Sequence, residues 1–241
     1  MNLIVDIGNT RIKTAVFNSG ELVYNEVIIK ENFVKSILEL IEIHNCENAI
    51  ISSVGFLKKN EISKIKSKIN LILLNSSTKV PFLNNYSTPK TLGVDRIALV
   101  ASAVSKFPNK NVLIIDAGTC ITYDFVNNKN CYLGGAISPG IKMRYKSLKT
   151  FTEKLPELIP ESPSELIGDS TEKCIHSGII NGVINEINGT IEQYTQKNED
   201  LTVVLTGGDV NFLANKLKNS IFANPNFLLE GLNTILTYNI Q

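Results

Sequence analysis

The apolar run Leu3-Ile4-Val5 ends in Asp6-Ile7-Gly8, and the run Leu113-Ile114-Ile115 ends in Asp116-Ala117-Gly118, so one design is used twice along the chain. Each run is short enough to be a buried strand. After each glycine comes a threonine (Thr10, Thr119), then a second stretch with strand character (12–17, 121–126) and a polar turn (18–20, 127–130). A third strand follows at 21–29 and at 131–137, so that each half opens as a three-stranded meander. Further along, 49–55 and 203–209 are apolar strands that end in small residues. Helical spacing fills the gaps. Phe33, Ile37, Leu38, Leu40 and Ile41 mark one helix, and Ile97, Val100, Ala101 and Val104 line one side of a second over 93–107. Ile175, Ile179, Val183, Ile187 and Ile191 recur every four residues along a third, 171–195, and helices are expected again at 211–218 and 227–238. The boundary falls near 108–111, which gives domains 1–109 and 110–241.

A length of 241 residues suits two small domains with separate cores. Apolar residues make up 43% and charged residues 20%, far from the composition of disorder. The net charge of +1 provides no general field for nucleic acid or an anionic membrane. The first residues lack the basic start and long apolar run of a signal peptide, and no later stretch approaches a membrane span, so a cytoplasmic location is expected. Cys46, Cys120, Cys131 and Cys174 contain no C-x-x-C pair, which argues against zinc and a disulfide framework; they are read as reduced, mostly core residues.

The turn Asp6-Ile7-Gly8-Asn9-Thr10-Arg11-Ile12-Lys13 lies between two expected strands. Glycine permits close backbone approach, Asn9, Thr10 and the amides can donate to phosphate oxygens, Lys13 adds charge, and Asp6 could hold Mg²⁺. An ordinary hairpin turn has the same residues. The second copy, Asp116-Ala117-Gly118-Thr119, favours nucleotide binding, because paired turns could clamp a polyphosphate. Neither a G-x-x-x-x-G-K-[ST] loop nor a G-x-G-x-x-G loop occurs. Thr206-Gly207-Gly208-Asp209 could let the backbone pass close to adenine and ribose, or be a plain strand-to-helix turn.

The doubled pattern of meander, helices and strands resembles the ribonuclease H-like duplication of the actin-like ATPases and kinases. Five motifs in order, DIGNTRIK (6–13), GVDR (93–96), DAGT (116–119), GGAISPG (134–140) and GDST (168–171) with Ser177-Gly178, resemble those of the type III pantothenate kinases. The resemblance implies an α/β protein of two ribonuclease H-like domains, phosphorylation of pantothenate by ATP in coenzyme A biosynthesis, and a homodimer.

It also implies roles. Asp95 matches the catalytic base; as a bare residue it could equally cap the helix that follows. Tyr86, Gly93, Val94, Arg96 and Thr171 match substrate contacts, and Arg96 suits a carboxylate through paired hydrogen bonds, although a surface ion pair is its plain alternative. Only Arg11, Arg96 and Arg144 are arginine among 24 basic residues. Asp116 matches a ligand of a monovalent cation, K⁺ or NH₄⁺, and Thr119 an ATP contact. His44 and His176 fall outside the motifs and are read as structural or surface residues. The competing readings are a sugar kinase of the same superfamily, a non-catalytic regulatory homologue, and a filament subunit. The Tyr86 to Arg96 segment, the intact Asp6, Asp95 and Asp116, and the short chain speak against them in turn.

Overall fold

The computed structural model describes residues 1–8, 12–53, 57–218 and 220–241. The chain divides into two compact units, residues 1–108 with 130–132 and 226–241, and residues 109–129 with 133–225.

In the first unit, β1 (Asn2–Ile7), β2 (Ile12–Asn18) and β3 (Glu21–Ile28) form the expected meander, and β4 (Asn48–Ser53) and β5 (Asn70–Leu73) run parallel to β1 on its other side. The order is β3-β2-β1-β4-β5. Between β2 and β3 the chain turns at Ser19 and Gly20, both with positive φ, as a tight hairpin demands. Because side chains alternate along a strand, Leu3, Val5 and Ile7 share one face with Ala49 and Ile51. Phe33, Ile37, Leu40 and Ile41 of α1 (Phe33–Ile43) cover that face.

α3 (Val94–Lys106) is buried from Arg96 to Val104, and α7 (Phe227–Ile240) packs along it and on β1 and β4. The sequence places α7 within the second half, 110–241, yet its contacts lie in the first unit. Phe227, Leu229, Leu232, Ile235 and Leu236 are buried there, each contributing about 1.5–3 kcal/mol of apolar burial. Asn2 Nδ2 donates to Asn233 Oδ1 at 3.0 Å beside them. α2 (Lys59–Lys66) and the strand β5 were not legible, since Ile65 is the only buried residue of α2 and lysine dominates the rest.

The second unit repeats the plan. β7 (Asn111–Ala117), β8 (Cys120–Val126), β9 (Cys131–Pro139), β10 (Leu201–Thr206) and β11 (Phe222–Ala223) lie in the order β9-β8-β7-β10-β11, the same permutation as in the first unit. β7 pairs antiparallel with β8 and parallel with β10, as β1 does with β2 and β4. The short β6 (Leu83–Asn84) pairs with Cys131 and Tyr132, which belong to the first unit.

Over the second sheet lies α5 (Thr171–Lys197), whose Ile175, Ile179, Val183, Ile187 and Ile191 form the expected buried spine. Ser170 caps it by accepting from the amide of Lys173 at 3.3 Å. α4 (Ile141–Phe151) adds Ile141 and Tyr145 to the same core. The helix expected over 211–218 is shorter: α6 (Val210–Leu213) ends in a single 3₁₀ turn, Ala214–Lys216. With Val210 and Leu213 buried and the 3₁₀ turn without a buried residue, little packing prolongs it.

All four cysteines are free, as expected, but only Cys46 is buried. Cys131 follows a hairpin turn, Cys120 follows the turn after β7, and Cys174 lies in the exposed first turns of α5, so the expectation of mostly core positions is corrected. His44 ends α1 with its ring 4.9 Å from that of Tyr24, and His176 Nδ1 lies 2.7 Å from Tyr145 Oη.

Candidate functional site

The C-terminal ends of β1 and β4 bring Asp6 opposite Ser52, while the antiparallel register sets Asp6 against Lys13 and Ile7 against Ile12. The chain passes from Gly8 to Ile12 through Asn9, Thr10 and Arg11, which lie outside the described residues. Asp6 is held in a poorly hydrated position. Burial lifts its pKa from 3.8 to about 6; Lys13 and a hydrogen bond with Ser52 oppose the rise, and the negative charge of Asp95 reinforces it. Asp6 and Asp95 are thus near enough to feel one another.

Asp95 occupies the first turn of α3, after Gly93 at the N-cap and Val94. Its Oδ1 accepts the amide proton of Arg96 at 2.8 Å, so the side chain does satisfy a helix-end donor. It is also exposed, as a group that must meet a substrate has to be. Arg96 is 5% exposed, and its guanidinium carbon lies 5.6 Å from the ring centre of Tyr86 and 6.0 Å from that of Tyr132. The two tyrosines stack at 5.9 Å. A surface ion pair is therefore the wrong description of Arg96. Its charge is buried against aromatic faces, which stabilise a desolvated cation by about 2 kcal/mol. The structure brings Tyr86 and Arg96 together; Tyr132 had no sequence signal beyond its aromatic character.

In the second unit, Asp116 and Ala117 end β7, and Gly118 and Thr119 turn into β8. Gly207 follows β10 with φ of +98°, and a Cβ there would collide with Asp116 Oδ1 and the Ala117 carbonyl. Only glycine fits. The Asp209 amide then donates to the Ala117 carbonyl at 2.9 Å, tying the 206–209 turn to the 116–119 turn. Gly140 closes the other side: its amide donates to the Thr119 carbonyl at 3.2 Å, and a Cβ would strike the Gly118 and Thr119 carbonyl oxygens. Asp116, Thr119, Gly207 and Gly208 are thereby gathered around one knot of backbone. Thr171 begins α5 and lines a groove of about 930 Å³ with Arg144, Leu148, Gly168 and Cys174.

Among the described residues no three His, Cys, Asp or Glu side chains gather as a metal cage. The carboxylates present suit cations of another kind. Asp6 is a partly buried, poorly hydrated carboxylate whose ionisation a cation would restore, in keeping with Mg²⁺ shared with phosphates and water. Asp116 is partly buried, with the Ala117 carbonyl beside it at the Gly207 approach, a hard-oxygen setting with one formal negative charge.

Sequence reasoning missed a further group. Arg144 of α4 donates from Nη2 to Glu186 Oε2 at 2.5 Å, and Tyr123 Oη donates to Glu186 Oε1 at 3.0 Å. Burial alone would raise the pKa of Glu186, but hydrogen bonds from Arg144, Ser138 and Tyr123 outweigh it and hold the carboxyl below its ordinary value. The scarcity of arginine was the one signal available for Arg144.

The same fold occurs in solved kinases. A glucokinase from an Antarctic psychrotroph is similar over 98% of both chains with a TM-score of 0.54 and 12% identity. A conserved candidate transcriptional activator of the Baf family from Campylobacter jejuni is similar over 99% of this chain and 98% of its own, with a TM-score of 0.63 and 21% identity. At these identities the likeness defines the class, the two-sheet α/β fold of the actin-like ATPases and sugar kinases. The family model described as type III pantothenate kinase matches residues 2–193. A type III pantothenate kinase of Christiangramia forsetii is 53% identical over 240 residues, covering 99% of each chain, and one of Flavobacterium psychrophilum is 46% identical over 239 residues, with the same coverage. The chain belongs to the type III pantothenate kinase family.

Proposed function

We propose that this chain transfers the γ-phosphoryl group of ATP to the primary hydroxyl of pantothenate, giving 4′-phosphopantothenate for coenzyme A biosynthesis. Family membership over the whole length supports the reaction. The observation that carries the chemistry is the exposed Asp95 carboxylate on the first turn of α3, beside the buried Arg96 and within the field of Asp6.

Asp95 accepts the hydroxyl proton as the oxygen attacks phosphorus, and its Oδ1 stays anchored to the Arg96 amide meanwhile. Gly93, Val94, Arg96 and Tyr86 contact pantothenate in unit one; Arg96, braced by the two tyrosine rings, draws the substrate carboxylate. Thr171 supplies a contact from its groove. Residues 6–13 and Thr119 hold the phosphates, and Gly207 and Gly208 the nucleoside. Mg²⁺ held by Asp6 would neutralise phosphate charge, and K⁺ or NH₄⁺ held by Asp116 would do the same. Assembly as a homodimer and a cytoplasmic location accompany this reading. No helix among the described residues is long and apolar enough to cross a membrane.

Mass spectrometry of the products tests the reaction. Pantothenate incubated with ATP, Mg²⁺ and K⁺ gains one phosphoryl group; an unchanged mass rejects the proposal. Initial rates test the cation. Replacing K⁺ by Na⁺ at constant ionic strength lowers turnover by roughly tenfold or more, because a larger cation with labile ligands is lost from the charge balance at the phosphates. Equal rates in both salts would remove the cation from Asp116.

A further inference from the structure

Three ties converge on the guanidinium of Arg144. Nε donates to the Pro139 carbonyl at 2.8 Å, while Nη2 donates to Ser138 Oγ at 2.9 Å and to Glu186. Glu186 stands on α5, and its second oxygen is taken by Tyr123 of β8. The guanidinium and the carboxylate are each less than a third exposed, so the pair is not an ordinary surface ion pair. What it fixes is the end of β9, Ser138 and Pro139. The next residue is Gly140, whose backbone lies against the carbonyls of Gly118 and Thr119 with no room for a methyl group. A shift of Pro139 therefore passes directly into the 116–119 turn.

We propose that Arg144, Glu186 and Tyr123 are positioning residues for the nucleotide: the network braces Ser138–Gly140, and Gly140 sets the height of the turn that receives the ATP phosphates. The proposal rests on the reading of 116–119 as a phosphate turn. A planar guanidinium can meet the Pro139 carbonyl, the Ser138 hydroxyl and the Glu186 carboxylate together, whereas a lysine ammonium on its flexible stem has no such fork. Arg144 also lines the groove that contains Thr171, so its own replacement could disturb a second ligand. Glu186 and Tyr123 are not among the residues lining that groove and report on the brace alone.

The test measures affinity of Glu186→Gln and Tyr123→Phe for a non-hydrolysable ATP analogue with Mg²⁺ by calorimetry, alongside KM for each substrate. Glu186→Gln is expected to weaken nucleotide binding roughly tenfold while KM for pantothenate moves less than about twofold, the split that a displaced phosphate turn produces. Tyr123→Phe moves the same way by a smaller factor, and Arg144→Lys resembles Glu186→Gln in nucleotide affinity. A general loss of folded protein would instead lower kcat and leave both KM values alone. Unchanged nucleotide affinity in folded Glu186→Gln, or equal loss for both substrates, overturns the proposal. Should Glu186→Gln not fold, Tyr123→Phe, which lacks one oxygen only, decides in its place. Wild-type protein that binds nucleotide without phosphorylating pantothenate would reject the proposed reaction and leave the brace to be judged on affinity.

Discussion

Asp95→Asn yields a folded protein whose turnover is lower by about 10²- to 10⁴-fold, the span attributable to a lost general base. The substitution keeps the size of the side chain, and an amide oxygen can still accept from the Arg96 amide now bonded at 2.8 Å. What disappears is a negative charge in the first turn of α3, worth about 0.3–1 kcal/mol at an exposed helix end, together with the ability to accept a proton. Thermal melting of the variant should therefore lie close to wild type. Turnover measured on the same preparation separates the two readings of this residue. A stable Asp95→Asn protein with near wild-type turnover would show that the carboxylate serves the helix and that another group takes the proton.

Asp6→Asn is expected to stabilise the protein in the absence of nucleotide and divalent cation while lowering activity by roughly 10²-fold or more through loss of charge at the phosphates. The folded pKa of about 6 stands above the ordinary 3.8, so the folded state binds the proton more tightly than the unfolded state. The protonated form favours the fold below pH 3.8, and that advantage is lost as pH rises through 6. Holding the carboxylate ionised in this partly buried, poorly hydrated position at pH 7 costs the fold about 2–3 kcal/mol, which a neutral amide avoids. Melting curves of ligand-free wild type and Asp6→Asn should accordingly coincide near pH 4 and separate towards neutrality, the variant melting higher. A variant that melts lower at pH 7, or a gap independent of pH, would show that Asp6 is not held against its ionisation. A site that opposes its own charge when empty trades stability for affinity.

The doubled plan could be read from the sequence because its strands are continuous apolar runs with a repeated acidic ending, and the two sheets indeed have one strand order. α5 was legible for a similar reason, since its isoleucines recur every fourth residue. α2 and α4 were not, because each buries only one or two side chains and reads as polar sequence. The Tyr86 and Arg96 pair could be anticipated from the family resemblance, whereas Tyr132 and Glu186 reach their partners only through folding. No periodicity connects Arg144 with Glu186 or Asp6 with Ser52, since register and helix placement alone bring them together. The placement of α7 escaped for the same reason: an apolar helix does not declare which sheet it will cover.

That placement has a consequence for the order in which the protein comes into being. Asn2 and Asn233, hydrogen-bonded in the first unit, are 231 positions apart. Residues 109–225, which contain the whole of the second unit, are synthesised before α7 leaves the ribosome. The first sheet therefore waits with the surface of β1, β4 and α3 that α7 will cover still bare, although it was made first. The unit made later can close earlier, and the nascent chain spends that interval with apolar surface exposed, the condition that recruits chaperones and favours aggregation. A message truncated just before Asn226 would strand the chain in that state, with every proposed catalytic residue translated and the N-terminal core left open.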